Sequence, residues 1–320
     1  MPLRALVIGG SGQIGGWLLR TLAERGHEAL GTYATVAYPG LAKLDAADLD
    51  ASAAWVRSQK PDVVFYPAGF TWVDGCERDP AKARSANLEQ PLNVARAAAE
   101  SGAKFVYFST DYVFDGHAGP YDEASPANPL SIYGRSKYEA ELALAEALGD
   151  AQLTVRTTWV FGPERQGKNF SYQLAKALSA GKSLDCPSDQ VSSPSYGPDI
   201  ARAVVGLVEG DHSGLINVSG PEVMGRVEFA RGLARGFGLD PSLIVSKTTA
   251  ELGQGAPRPL SSGLTCRKLE SLVPGIMRPL ADCLADYHAR LESTEGLTHP
   301  LPLSPETMLA DAIPLEPRIL

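Results

Sequence analysis

Tyr133 and Lys137 stand four residues apart in Ile132-Tyr133-Gly134-Arg135-Ser136-Lys137. On a helix this spacing puts both side chains on one face, about one turn from each other. The lysine ammonium can then stabilise a phenolate and lower the tyrosine pKa from its reference of roughly 10. A phenol tuned in this way passes a proton to or from a carbonyl or alcohol oxygen near neutral pH. Thr110, in Ser109-Thr110-Asp111-Tyr112-Val113-Phe114-Asp115-Gly116 at the end of an apolar run, can hydrogen-bond the same oxygen. Tyrosines beside solvated lysines are common on helix surfaces, so the pair acquires meaning only from its surroundings.

A second chemical feature is Gly9-Gly10-Ser11-Gly12-Gln13-Ile14-Gly15. It satisfies two spacings at once, Gly10-x-Gly12-x-x-Gly15 and Gly9-x-x-Gly12-x-x-Gly15. Such glycines permit a tight turn, close approach of the backbone to a pyrophosphate and close helix–strand packing. The helix that follows offers free amides and a partial positive charge to the anion. Gly31-Thr32-Tyr33-Ala34-Thr35, where a second strand ends, supplies neither an acid for a ribose 2′-hydroxyl nor an arginine for a 2′-phosphate. No carboxylate there would repel the phosphate, which favours NADP(H) while leaving NAD(H) open. Ser11 and Lys43 are candidate contacts to a 2′-phosphate.

These residues need elements to hold them. Ala5-Leu6-Val7-Ile8 is apolar without alternation, as a strand buried on both faces would be. Ile14, Trp17, Leu18 and Leu22 then follow helical spacing up to Gly26. Further strands are read at 28–33, 62–66, 104–108 and 153–156. Helices are read from Ala53 to before Pro61, at 92–101 and at 133–148. This alternation predicts an α/β fold, a Rossmann-type doubly wound parallel sheet with a smaller α/β substrate-binding lobe. After residue 162 the rhythm loosens. Helices are expected at 170–180, 199–208, 228–237 and 280–291, a strand at 215–218 and a Ser/Pro-rich loop at 188–198. Residues 1–162 form the main part of the dinucleotide-binding domain. Residues 163–292 are mainly the substrate lobe, with some segments returning to the first domain. The tail 293–320 carries Pro300, Pro302, Pro305, Pro314 and Pro317 and reads as extended or partly disordered.

Lys+Arg number 29 against Asp+Glu 37, a net charge of −8 that argues against a nucleic-acid-binding surface. No stretch of 18 apolar residues exists, so no membrane span is expected. Met1-Pro2-Leu3-Arg4 runs directly into the first strand without the features of a signal peptide, and a cytoplasmic location is expected. Cys76, Cys186, Cys266 and Cys283 are widely spaced, which disfavours a disulfide framework or a structural metal site.

Together the motifs resemble an extended short-chain dehydrogenase/reductase, and more narrowly the dTDP-4-dehydrorhamnose reductase family. Besides the glycine turn, Lys60-Pro61-Asp62-Val63-Val64, the Ser109–Gly116 segment and Gly119-Pro120-Tyr121 with Glu123 carry the likeness. Pro129-Leu130, Tyr133-Gly134-Arg135-Ser136-Lys137 and Arg156-Thr157-Thr158-Trp159-Val160-Phe161-Gly162 extend it. Asn169-Phe170, Asp189-Gln190 and Ala256-Pro257-Arg258-Pro259 complete it. The resemblance implies Thr110, Tyr133 and Lys137 as the catalytic trio. It implies a cofactor cradle of Gly9, Gly10, Ser11, Gly12, Gln13, Ile14 and Gly15, with Thr32, Asp45, Ala68, Gly69 and Asn87 around it. Asp111, Tyr112, Trp159 and Arg258 would face a nucleotide-sugar substrate. No metal is implied, and a homodimer is left open.

Phe70 and Trp72 stand where the family usually has small or polar residues, and would narrow the nicotinamide and sugar pocket or stack on a ring. Sugar 4,6-dehydratases of the superfamily carry an acid after the Thr-Asp pair; here that residue is Tyr112, which disfavours elimination. Two other readings share these segments. One is a nucleotide-sugar epimerase. The other is the regulatory (beta) subunit of methionine adenosyltransferase, which binds NADP but serves as a partner protein.

Overall fold

Seven parallel strands build the central sheet of the computed structural model, which describes residues 1–292. They are β1 Arg4–Val7, β2 Glu28–Tyr33, β3 Ala42–Lys43, β4 Val63–Tyr66, β5 Lys104–Thr110, β6 Gln152–Thr157 and β7 Gly214–Asn217. Their spatial order is β7-β6-β5-β4-β1-β2-β3, and every neighbouring pair is parallel. The chain winds outward from β1 to β3, then crosses back to β4 and winds the other way. The expected doubly wound parallel sheet is thus the one observed. The proline-rich tail 293–320 lies outside the described residues.

Both faces of the sheet are covered, which is why its strands do not alternate apolar with polar residues. Ala5, Val7, Phe65, Val106 and Val155 pack against α1 Gln13–Glu24 and a helix at Gly197–Glu209. Leu6, Ile8, Val64, Phe105 and Tyr107 face the opposite layer. That layer is made by α2 Leu49–Gln59, α3 Gln90–Ala99 and α4 Ile132–Leu148. Numbering the helix at Gly197–Glu209 as α5, elements from beyond residue 162 that join the sheet and these layers are α5, a short helix at Arg267–Leu272, and the strand read at 215–218, which is the edge strand β7.

The remaining chain encloses a third core of Phe161, Tyr172, Phe229, Leu233, Phe237 and Tyr287. Helices Phe170–Ser179, Arg226–Gly236 and Leu280–Glu292 build it, with parallel strands at Leu184–Pro187 and Ile244–Lys247. The segment 188–198, expected to be loop, contains two short strands. Val191–Ser192 pairs antiparallel with Met224–Gly225, and Ser195–Tyr196 pairs parallel with Val160–Phe161. Two-residue strands carry too little pattern to be read, and tertiary pairing decides them. Among the described residues no helix is long and apolar enough to cross a membrane, and no cluster of His, Cys, Asp and Glu could hold a metal ion.

Candidate active site

The strand order reverses between β1 and β4, and in open α/β sheets ligands bind in the crevice beyond the carboxyl ends at such a point. A cleft of about 1150 Å³ occupies that position. Its lining reaches from Thr35 and Asp45 beside β2 and β3, across the glycine turn, to Thr110, Tyr133, Lys137 and Trp159. This exceeds the roughly 300–1,000 Å³ of a site for one small ligand and leaves room for a dinucleotide and a second molecule.

The glycine turn is shaped by contacts that exclude side chains. Gly9 has φ +97°, and a Cβ there would lie 3.0 Å from that of Ala68. A Cβ on Gly15 would stand 2.2 Å from the Gly9 carbonyl oxygen, so only glycine lets α1 start so close to β1. Thr32 holds the turn from β2, its Oγ1 accepting from the Gly9 amide at 3.1 Å. Gly12 caps α1 without any side-chain hydrogen bond, and the first turn holds no acid. The leading amides of α1 therefore keep their capacity for an anion. Gly12 itself is open, with only the Gly9 oxygen at 3.4 Å from an added Cβ. Ser11, Gln13 and Ile14 also line the cleft. An excluded Cβ, an uncapped helix start and no nearby acid are what a dinucleotide pyrophosphate requires, and these residues fit it.

Asp45 lies exposed on the cleft lining with its Oδ1 accepting from the Ala47 amide at 3.0 Å. Lys43 is exposed and is not part of the lining, whereas Ser11 is. Gln166 and Lys168, from the segment after β6, also line the cleft, and Gln166 Nε2 donates to the Ser11 carbonyl at 2.7 Å. Sequence reading missed both. They follow a glycine-containing loop with no periodicity, and only Asn169-Phe170 beside them gave a signal.

Thr110 is the last residue of β5, and Tyr133 and Lys137 sit on the buried stripe of α4 with Ser136, Ala140, Glu141 and Leu144. Ser131 caps α4 by accepting from the Gly134 amide at 3.1 Å. Glu77, from a short helix at Val73–Arg78, accepts from the Ile132 amide at 2.7 Å. Gly134 permits the closest approach, since a Cβ there would be 2.1 Å from the Tyr112 carbonyl oxygen. The helix is thus pressed onto the chain just after Thr110. Thr110, Tyr133 and Lys137 all meet the cleft that the glycine turn lines.

The electrostatics differ from the expectation that Lys137 lowers the Tyr133 pKa. Burial raises the Tyr133 phenol well above its ordinary value, with the Thr110 hydroxyl working in the other direction. Lys137 Nζ donates to the Phe108 carbonyl at 2.8 Å and lies 4.5 Å from the Tyr107 ring centroid. Burial brings its pKa down to about 8, with Glu141 opposing that shift. In the protein alone, desolvation outweighs the attraction expected of the pair.

Ala68 and Gly69 follow β4 and line the cleft. Asn87 stands behind them, fully buried on a π-helical turn at Ser85–Glu89. Its Oδ1 accepts from the Phe70 amide at 2.9 Å, and its Nδ2 donates to the Phe70 carbonyl and to Ser136 Oγ, each at 3.1 Å. Of the two aromatics after β4, Phe70 lines the cleft, whereas Trp72 turns outward, 55% exposed with Arg78 stacked on it at 5.0 Å.

Asp111 is buried behind Thr110. Its Oδ1 accepts from Thr110 Oγ1 at 3.2 Å, and its Oδ2 accepts from Ser192 and Ser262 hydroxyls. Burial raises its pKa and these hydroxyls oppose the rise. Tyr112 packs edge-on against Tyr133. Trp159 lines the cleft in a left-handed conformation, φ +38°, which costs a tryptophan of the order of 1–3 kcal/mol. Arg258 pairs with Asp74, its Nη2 donating at 2.8 Å, and reaches the site through the Tyr112 hydroxyl rather than through the cleft lining.

Comparisons with known proteins agree with this fold. The family described as the RmlD substrate binding domain matches residues 3–293. A dTDP-4-dehydrorhamnose reductase of Mycobacterium tuberculosis (strain H37Rv) is 31% identical, over 93% of this chain and 97% of its own. The crystal structure of dTDP-4-dehydrorhamnose reductase from Bacillus anthracis in complex with NADP superposes with a TM-score of 0.83 at 27% identity, covering 90% of this chain and 99% of that one. Methionine adenosyltransferase 2 subunit beta of Xenopus tropicalis is 31% identical, over 86% of this chain and 84% of its own.

Proposed function

The chain belongs to the RmlD substrate binding domain family, a family of NAD(P)-dependent oxidoreductases, and on that premise we propose that it reduces the keto group of a nucleotide-linked 4-keto-6-deoxysugar. The observation that carries this reading is the convergence of Thr110, Tyr133 and Lys137 on the cleft that contains the glycine turn. A bound reduced nicotinamide supplies the hydride for the keto carbon. Tyr133 donates the proton to the keto oxygen, and its burial keeps the phenol protonated for that purpose. Lys137 binds the nicotinamide ribose and places a positive charge next to the phenol. Thr110 orients the carbonyl by turning its hydroxyl proton from Asp111 Oδ1 to the substrate oxygen. The glycine turn, with the first amides of α1, binds the cofactor pyrophosphate.

NADP(H) is the preferred cofactor in this reading, supported by the absence of a carboxylate in Tyr33-Ala34-Thr35 at the end of β2. Tyr112, standing after the Thr-Asp pair, supports reduction over elimination. Burial pushes its phenol up to about 12, and it is not the carboxylic acid expected at this place for elimination. The nucleotide-sugar side of the cleft is assigned to residues 163–292, apart from the segments that join the main sheet.

The test is to incubate the protein with NADPH, and separately NADH, and a panel of nucleotide-linked ketosugars, following loss of reduced-cofactor absorbance. Turnover with at least one 4-keto-6-deoxysugar, faster with NADPH, is expected. The likeness to a methionine adenosyltransferase beta subunit favours a second reading, an NADP-binding partner protein. Stable co-elution with a methionine adenosyltransferase catalytic subunit, without any carbonyl reduction, would select it. Interconversion of sugar epimers without net cofactor consumption would select an epimerase instead.

A further inference from the structure

We propose that Arg226 is the anion receptor of this site and takes the diphosphate of the nucleotide-linked substrate. The proposal deepens the reductase reading and rests on it for the identity of the bound molecule.

Arg226 is held by rings and not by an acid. Its guanidinium carbon lies 3.9 Å from the Phe170 ring centroid and 4.4 Å from that of Trp159. Other enclosed arginines have carboxylate partners: Arg156 has Glu141, Arg258 has Asp74 and Arg278 has Asp199. Among the described residues the Arg226 side chain has no ion pair and no hydrogen bond. Its nitrogens are also absent from the sealed polar atoms that lack partners, so they keep access to solvent-filled space. Burial pulls its pKa down to about 10, and Cys186, Tyr112 and Asp111 oppose that shift without pairing with it. A cation in such a place is costly until an anion joins it.

Its location adds to that cost. Arg226 is the first residue of the helix Arg226–Gly236, whose cap Gly225 makes no side-chain hydrogen bond. A cation at a helix start faces the positive end of the dipole, the reverse of the stable arrangement. The only acid in that first turn, Glu228, is exposed. Two positive features thus converge without compensation, and one anion would relieve both. A planar guanidinium already clamped between rings is suited to bidentate recognition of phosphate oxygens.

The residue is also tied to the reacting groups. Its amide donates to the Gln190 carbonyl at 2.8 Å, next to the strand pair that carries Ser192, whose hydroxyl holds Asp111. Trp159, under the guanidinium, lines the cleft, and Arg226 meets the site through that ring, not as part of the lining itself. Tyr112 lies in the field of two arginines, Arg258 and Arg226, and only Arg258 is neutralised by a carboxylate. An anion beside Arg226 would leave the sugar end of the same molecule directed towards Tyr112 and Tyr133.

The experiment measures binding of thymidine diphosphate to the NADPH-saturated full-length protein by calorimetry. Arg226→Gln should weaken it by about 10- to 100-fold, the loss expected for hydrogen bonds to a charged group, with NADPH affinity unchanged. Arg226→Lys should recover part of the loss, because the charge survives without the fork. Inorganic pyrophosphate should compete with thymidine diphosphate on the unaltered protein, a measurement independent of how the variants fold. Unchanged thymidine diphosphate affinity in Arg226→Gln, or no competition by pyrophosphate, overturns the proposal. Arg226-dependent binding in a protein that reduces no nucleotide-linked ketosugar would uphold the receptor and sink the reductase reading alone.

Discussion

The rings of Tyr112 and Tyr133 meet edge to face, with centroids 5.5 Å apart and planes at 71°. The contact uses the ring of Tyr133, while its hydroxyl meets that of Thr110. Replacing Tyr133 by phenylalanine preserves the ring pair and removes only the hydroxyl, so it isolates the proton donor. Turnover of Tyr133→Phe should fall by roughly 10²-fold or more, while NADPH titration should give nearly the wild-type affinity. Wild-type turnover in this variant would remove Tyr133 from the reaction.

Lys137 sets a pH dependence with a definite sign. Burial lowers its pKa to about 8, so the ammonium is present below that pH and is lost above it. The Tyr133 phenol stays protonated over the same range because burial raises its pKa. Log kcat/KM for reduction should therefore be level below about pH 8 and decline above it. Lys137→Arg, which holds its charge to higher pH, should move that limb upward at reduced overall rate. A limb that stays in place would belong to another group. Stability should follow the opposite course. The unfolded amine, with its ordinary pKa of 10.5, binds more protons than the folded one between about pH 8 and 10.5. The cost of charging the buried amine is fully present below about pH 8 and is relieved as pH rises through that window. Thermal melts of wild type against Lys137→Met over that range would show the difference.

How much of this site could be read beforehand depended on the range of the contacts. The glycine turn and the Tyr133–Lys137 pair are local patterns, and their spacing alone implied one turn and one helix face. The strand at Gly214–Asn217 was visible as a strand, but its place at the edge of the main sheet is set by pairing with β6, some sixty residues earlier. The Arg258–Asp74 pair spans 184 residues, so neither residue announces the other. Phe70 and Trp72 look equivalent in sequence, yet Phe70 turns into the cleft and Trp72 out of it. Asp79-Pro80 is a local helix-start signal: Asp79 caps the short helix Pro80–Arg84 by accepting from the Lys82 amide at 3.0 Å.

Two glycines of the turn should respond differently to added bulk. A Cβ on Gly15 would collide with the Gly9 carbonyl oxygen at 2.2 Å, a backbone atom that cannot swing away. Gly15→Ala should therefore lower the melting temperature as well as cofactor affinity. Gly12 has only one protein atom nearby, the Gly9 oxygen at 3.4 Å, and its φ of −83° suits any residue. Gly12→Val should fold with near wild-type stability and lose NADPH binding, because its side chain would occupy the space over the first amides of α1. Calorimetry and thermal melts of both variants would separate the two effects. Normal NADPH affinity in Gly12→Val would contradict the placement of the pyrophosphate.

Asn87 should matter for both the fold and the cofactor wall, although it touches no reacting atom. Its amide bridges the Phe70 backbone after β4 to Ser136 on α4, and Ser136 in turn donates to the Tyr133 carbonyl at 2.8 Å. Gly69 lies in the same corner, where an added Cβ would be 2.9 Å from Asn87 Oδ1 and 3.4 Å from Lys137 Nζ. Asn87→Ala leaves the Phe70 amide without its partner and opens a polar gap behind Gly69. A buried donor stripped of its acceptor costs roughly 1–3 kcal/mol, and the lost bond to Ser136 adds to it. Denaturant melts should register about that loss. The same change frees the strand β4 loop to move relative to α4, so NADPH affinity should fall more than kcat at saturating cofactor. Asn87→Asp keeps the acceptor for the Phe70 amide but replaces both donations with lone pairs, directed at the Phe70 carbonyl and Ser136. It should be no more stable than Asn87→Ala. A variant Asn87→Asp with wild-type stability would show that the two donations of the amide carry no weight.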